Sequence, residues 1–322
     1  MLISSLILMI GCSNVTTESD TPSNSTNNLE PITFTYNENE YKIVNFYQEF
    51  SQYIKEAEKH PDNLDTLYID TVLEPFTKSV FGEDYGEFIS KQWGFGTPTR
   101  PKILEEYLLY LNENNNKIND LIIDALKKST DELSSEDDKV VYILLASPDD
   151  VTKMKWLKGV TGMTWDQNVI TIQIAPPFLD EDILKFVVAH EYQHAVFFEK
   201  NEIGTNATVL EEVMLEGKAD TFAQIMYPEV VTPWNDFSTK SQEENTWSYL
   251  EKNLNSINAS IKDDLFYGNS SKGIPDTSNY KMGNKIMDSF IQENPSISIE
   301  EWTEMSADEI LEKSKYEAKN QE

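Results

Sequence analysis

The chain of 322 residues contains one cysteine, Cys12, three histidines, and only 26 basic side chains against 56 acidic ones. A single cysteine forbids an intramolecular disulfide. It also removes every metal site built on thiolates, so any metal chemistry has to use imidazole and carboxylate. The shortage of Lys and Arg leaves a formal net charge of -30 at pH 7. A surface of that sign repels phosphate backbones and anionic lipid heads. Nucleic acid is therefore not expected as a partner, nor docking on a membrane through protein charge. Long apolar runs are missing too. Leu2 to Ile10, which opens the chain, falls far short of the roughly 20 residues a spanning helix needs. No stretch reads as a calcium loop with a glycine at its turn. What remains, 39% hydrophobic and 11% aromatic residues, is enough for one large domain or two closely packed halves.

The apolar opening ends in Gly11-Cys12 and gives way at once to a polar, low-complexity stretch. That order reads as the apolar core of a signal peptide (residues 1–12) followed by a disordered tether (residues 13–31). Leu8-Met9-Ile10-Gly11-Cys12 resembles a bacterial lipobox, which implies lipidation of Cys12 and a protein exported and anchored at the cell surface. Met9 stands where that pattern prefers Leu. No basic residue precedes Lys42, as expected if the natural start lies further upstream.

Beyond the tether the apolar pattern has two periods. From about Tyr41 to Glu136 it is helical: Ile43, Phe46, Tyr47, Phe50 and Ile54, then Ile103, Tyr107, Leu108 and Leu111, then Leu121, Ile122, Ala125 and Leu126. Residues 32–138 are thus expected to form a helical N-terminal region. Val140 to Leu145 reads as a buried strand, Gly159 and Gly162 as turns, and Asn168 to Ala175 as a strand with one buried face. Pro176-Pro177 ends it, with Asp180 a helix N-cap, and Thr208 with Glu211 a capping box that opens a helix to about Met226. The expected fold class is α+β, with residues 139–322 forming a core whose C-terminal half is helical.

The chemistry concentrates in His190-Glu191-Tyr192-Gln193-His194. Histidines at i and i+4 share a helix face and can reach one ion, while Glu191 lies one residue on, placed to act as a general base on water. Apolar neighbours on both sides, Phe186 to Ala189 and Ala195 to Phe198, argue for a buried helix. Buried imidazoles need a partner. Zinc in a catalytic site commonly takes three protein ligands. The remaining histidine, His60, sits in a polar turn, so a carboxylate is expected. Glu216, with Asp220 four residues later to orient a ligand imidazole, is preferred to Glu212, which stays open as the alternative. The small residues Gly217 and Ala219 would let this helix approach the histidine helix closely.

HExxH followed by a helix carrying Glu216 and Asp220 resembles the gluzincin metalloproteases, the thermolysin-like group. More narrowly, His190 to Ala195, Glu216 to Ala219, and the late segment Pro275 to Phe290 with Tyr280 and Gly283 resemble the YjaZ-like family of predicted zinc-dependent proteases, over roughly 140–316. The resemblance implies a zincin-like fold, with a small mixed sheet beside the HExxH helix. It implies zinc on His190, His194 and Glu216, Glu191 as base, Asp220 behind a ligand, and peptide or protein as substrate. It also puts Tyr280 near the site as a candidate oxyanion donor, and suggests that the strand from Asn168, if an edge, could pair with an extended peptide. Two rival readings share these residues: a surface binding protein with a structural zinc, and a zinc amidase that acts on something other than peptide.

Overall fold

The computed structural model describes residues 30–201 and 206–316. The signal-peptide, lipobox and Cys12 readings lie outside the described residues, as does all but the last step of the tether. Five strands form one mixed sheet: β1 (Ile32–Tyr36), β2 (Asn39–Asn45), β3 (Lys139–Leu145), β4 (Val160–Thr164) and β5 (Val169–Ile174), in the spatial order β1-β2-β3-β5-β4. Helices α1 (Tyr47–Lys59), α2 (Pro101–Glu113) and α3 (Asn115–Glu132) precede β3. After β5 come α4 (Glu181–Lys200), α5 (Val209–Met226), α6 (Ala259–Phe266), α7 (Ser278–Glu293) and the short α8 (Ile299–Glu304). The fold is α+β, and none of its described helices is long and apolar enough to cross a membrane.

Three readings of the sequence need correction. Residues 32–45 are not helical but form a hairpin, and Ile43 belongs to β2 rather than to the stripe of α1. Exposed Glu40 and Lys42 alternate with buried Tyr41 and Ile43, the period of a strand. Asn37 and Glu38 take φ of 47° and 76°, the paired left-handed conformation of a tight hairpin turn. Because β2 then pairs in parallel with β3, the sheet begins a hundred or so residues before residue 139. The helical signal at Ile43 arose because strand and helix abut: Phe46 N donates to Ile143 O and α1 starts at the next residue.

Second, β5 is internal. It lies between β3 and β4 and is buried along its whole length, so the free edge on this side is β4. Third, Gly162 is no turn residue but the centre of β4, paired with Ile172. That register puts Gly162 on the same sheet face as Ile170, Ile172 and Ile174, the face on which α4 packs. The opposite face meets the N-terminal helices through Tyr142, Phe76, Phe95 and Trp165, whose indole N–H donates to Thr171.

Local signals set the ends of the two central helices. Asp180 accepts from the N–H groups of Asp182 and Ile183 to start α4, and Thr208 with Glu211 forms the reciprocal capping box of α5. α4 is buried without a break from Phe186 to Val196. Of the two small residues expected to let α5 approach α4, Gly217 instead faces α7. A Cβ on Gly217 would stand 2.6 Å from Gly283 Cα, and one on Gly283 would stand 2.3 Å from Val213 O. Two backbones therefore touch where α5 crosses α7. Gly283→Val should lower unfolding stability by about 3 kcal/mol or more, whereas Gly96→Ala, where a Cβ meets nothing within 4 Å, should change it by less than about 1 kcal/mol; urea denaturation of both variants measures the contrast.

Candidate metal centre

α4 delivers His190, Glu191 and His194 from one face, and α5 delivers Glu216 and Asp220 from the facing helix. One ligand atom from each of His190, His194 and Glu216 lies within 4.8 Å of the other two. Glu216 Oε2 stands 3.3 Å from His190 Nε2 and 3.4 Å from His194 Nε2. It is buried, yet has no properly aligned hydrogen-bond partner. Ligand atoms about 2.0–2.1 Å from a tetrahedral zinc would be roughly 3.3–3.4 Å apart, so the spacing suits a shared ion better than a direct hydrogen bond. The donor set, two imidazoles and a carboxylate, is that of zinc hydrolases.

The surroundings hold these groups in place. His190 Nδ1 donates to Asp220 Oδ1 at 2.8 Å, which turns Nε2 toward Glu216. Trp234 Nε1 and Asn284 Nδ2 approach the two oxygens of the same carboxylate, each at 3.5 Å. Burial alone would lower the His190 pKa, but the Asp220 carboxylate overrides it and raises it well above the usual value. Burial works against the charge on Glu216 too, and is outweighed by the two imidazoles, which hold its pKa far below the ordinary carboxylate range. His194 stacks on Phe198 at 6.2 Å, and its Nδ1 is buried without a protein partner.

Glu191 is anchored by a residue the sequence did not single out. Thr164, at the end of β4, donates to Glu191 Oε2 at 2.7 Å and lies 2.9 Å from its main-chain oxygen. Gly162, two residues earlier on the same strand face, leaves the room that the Glu191 side chain fills: a Cβ there would be 2.4 Å from Glu191 Cγ. Burial raises the Glu191 pKa, partly offset by the two imidazoles. Neither Thr164 nor Gly162 carries a motif. Both follow from strand register, which the sequence could not supply.

Tyr280, in the first turn of α7, stacks beside His190 at 6.1 Å between ring centroids. Burial, then the Glu216, Asp220 and Glu191 carboxylates, push its phenol well above the usual pKa, so it stays neutral and able to donate. Two sequence candidates lie apart from the cluster. His60 is exposed at the end of α1. Glu212 is paired with Lys262 at 2.5 Å.

A family model described as a predicted Zn-dependent protease (DUF2268) matches residues 118–312. The chain belongs to this family. The matched region spans β3 to β5 and every residue of the cluster. Neither the curated proteins nor the solved structures contain a match. Zinc is the metal named in the family's description, and His190, His194 and Glu216 are the described residues arranged to hold it. The purified chain should carry about one zinc, lost in His190→Ala and Glu216→Ala and retained in Glu212→Ala. Asp220→Ala should weaken the metal about 10–100-fold; elemental analysis and competition with a chelator read both effects.

Proposed function

We propose that the chain is a zincin-like peptidase that hydrolyses peptide bonds with Glu191 as general base. The observation that carries this reading is the pairing of a three-ligand cluster with a separate carboxylate that does not join it. Glu191 belongs to the same helix turn as His190 yet is tied to β4 through Thr164. A site that only stored metal would have no use for a base held in that position.

Zinc bound by the three ligands would supply a Lewis acid that lowers the pKa of water and polarises the scissile carbonyl. The protein residues do the rest. Thr164 occupies Glu191 Oε2, and Oε1 has no hydrogen-bond partner among the described residues, so Oε1 is the atom that takes the proton from the attacking water. Its raised pKa suits both the uptake of that proton and its delivery to the leaving amine. Tyr280, neutral and beside His190, donates to the oxyanion. β4, the free edge next to Glu191, offers main-chain groups to an extended peptide, the role first assigned to the neighbouring strand.

Glu191→Gln should retain zinc and lose about 10²–10⁴-fold in turnover of a casein-type substrate. Tyr280→Phe should lose about 10²-fold or more in kcat with little change in KM. Zinc without turnover in the wild-type chain would overturn the peptidase reading in favour of a binding protein, and turnover of a non-peptide amide alone would favour an amidase.

We further propose that Leu8 to Cys12 directs export and lipid attachment at Cys12, which leaves the catalytic unit tethered outside the cell. The support is the order of apolar run, Gly11-Cys12 and polar tether in the sequence. Expressed in a bacterium with labelled fatty acid, the full chain should take up label and sediment with membranes. Cys12→Ser should take up none.

A further inference from the structure

Two aromatic rings that touch each other stand open to solvent at the end of the helix Glu74–Phe81: Phe81 is 36% and Tyr85 44% exposed. Contiguous apolar surface left in water marks a place where something binds. The rings are held in position. Phe76 of the same helix is buried against Tyr142 of β3, and Tyr142 Oη donates to Ser79 O at 3.2 Å. Phe81 packs edge-on against Tyr85 at 5.7 Å and against Trp165 at 5.4 Å between ring centroids. Trp165 is the residue that leaves β4, directly after Thr164, the anchor of Glu191. The exposed rings are therefore continuous with the end of the free sheet edge.

The register of β4 determines what that edge presents. Trp165 N donates to Val169 O and Ala175 N to Gly159 O, so the odd-numbered residues of β4 exchange hydrogen bonds with β5. The main-chain groups of Gly162 and Thr164 thus point to the open side, at the two residues that adjoin the Glu191 side chain. A peptide strand added there carries its side chains alternately to the two faces of the sheet. One set meets the metal cluster. The other falls on the face of Met163 and Trp165, both only partly buried, with Phe81 and Tyr85 next to Trp165.

We propose that Phe81, Tyr85 and Trp165 form a substrate subsite for an aromatic side chain of the bound peptide, about two or three residues from the scissile bond. The assignment rests on the peptidase reading above. Rings already in edge contact extend that packing to one more ring, and burying it removes apolar surface of both partners from water. The other surfaces that could cover such rings are disfavoured by charge. Glu83, Asp84 and Glu87 are exposed in the same segment and repel an anionic membrane, and the net charge of -30 repels a second copy of the chain. Phe81 and Tyr85 precede residue 118, where the family match begins, so the subsite gives the N-terminal region a part in choosing the substrate.

Binding tests the assignment separately from turnover. Two blocked peptides identical except for a central Phe or Ser are titrated by calorimetry into zinc-loaded Glu191→Gln. The Phe peptide should bind about tenfold more tightly. Adding Phe81→Ser or Tyr85→Ser should each narrow that difference about threefold or more. Tyr85 does not touch Trp165 directly, so its variant keeps the test intact even where Phe81→Ser loosens the fold. Equal affinities, a Phe preference that survives both variants, or binding of neither peptide would overturn the subsite. So would a dimer in sedimentation, or capture on anionic vesicles, that Phe81→Ser abolishes, since the rings would then serve a second copy or a membrane. If the preference depends on Phe81 and Tyr85 yet the zinc-loaded wild-type chain cleaves neither peptide, the peptidase reading falls and the subsite stands. Cleavage of both peptides with no dependence on either ring means the reverse.

Discussion

Where α5 crosses α7, Gly217 and Gly283 let two main chains touch, and that contact sets where Glu216, Asp220 and Tyr280 stand against the histidines of α4. Glu216 immediately precedes Gly217, Asp220 lies one turn on, and Tyr280 lies one turn before Gly283. A side chain at either glycine would overlap backbone atoms at 2.3–2.8 Å, and backbone cannot rotate away as a flexible side chain can. The helices would have to separate. Any separation would move Glu216 off the Nε2 atoms of His190 and His194, and Tyr280 off the His190 ring, so the geometry of the metal cluster depends on a contact that includes no metal ligand. Lys218, the next residue, pins the same helix on its other side: its buried ammonium donates to the main-chain oxygens of Thr303 and Met305.

The site also concentrates negative charge where water is scarce. Glu191, Glu216 and Asp220 surround two imidazoles in a region where His190, Glu191, His194 and Asp220 are all buried. Burying three carboxylates so close together is strongly unfavourable unless positive charge answers them. A divalent cation on the two histidines and Glu216 answers it directly. Metal binding and folding are coupled in such an arrangement, because the ion relieves a cost that the fold imposes.

What could be read from the sequence was what local chemistry encodes. The HExxH spacing, the Asp180 cap and the Thr208–Glu211 box each depend on residues within a turn of one another, and the helices begin where those signals stand. The clustering of His190, His194 and Glu216 was also within reach, because four-residue spacings on two helices limit what can meet. Long-range pairing was not. The identity of the edge strand, the contribution of Thr164 and Gly162 to the Glu191 pocket, and the partner of Gly217 all depend on how distant segments align. The hairpin at Ile32–Asn45 was misread because its last residues run straight into an amphipathic helix of compatible spacing.

The parallel pairing of β2 with β3 has a consequence for how the chain reaches its folded state. Tyr41 sits opposite Lys139 and Asn45 opposite Ile143, so the segment between them must be made, and largely collapsed, before the N-terminal hairpin finds its neighbour. Until then the hairpin shows an open parallel-pairing edge to whatever is nearby. Closing so long a loop makes assembly slow relative to hairpin or helix formation. During synthesis the ribosome delivers β3 only after the residues up to 138 have emerged, and for that interval β2 has no parallel partner. The acidic excess of the whole sequence repels like chains from that edge and keeps them apart while the sheet is incomplete.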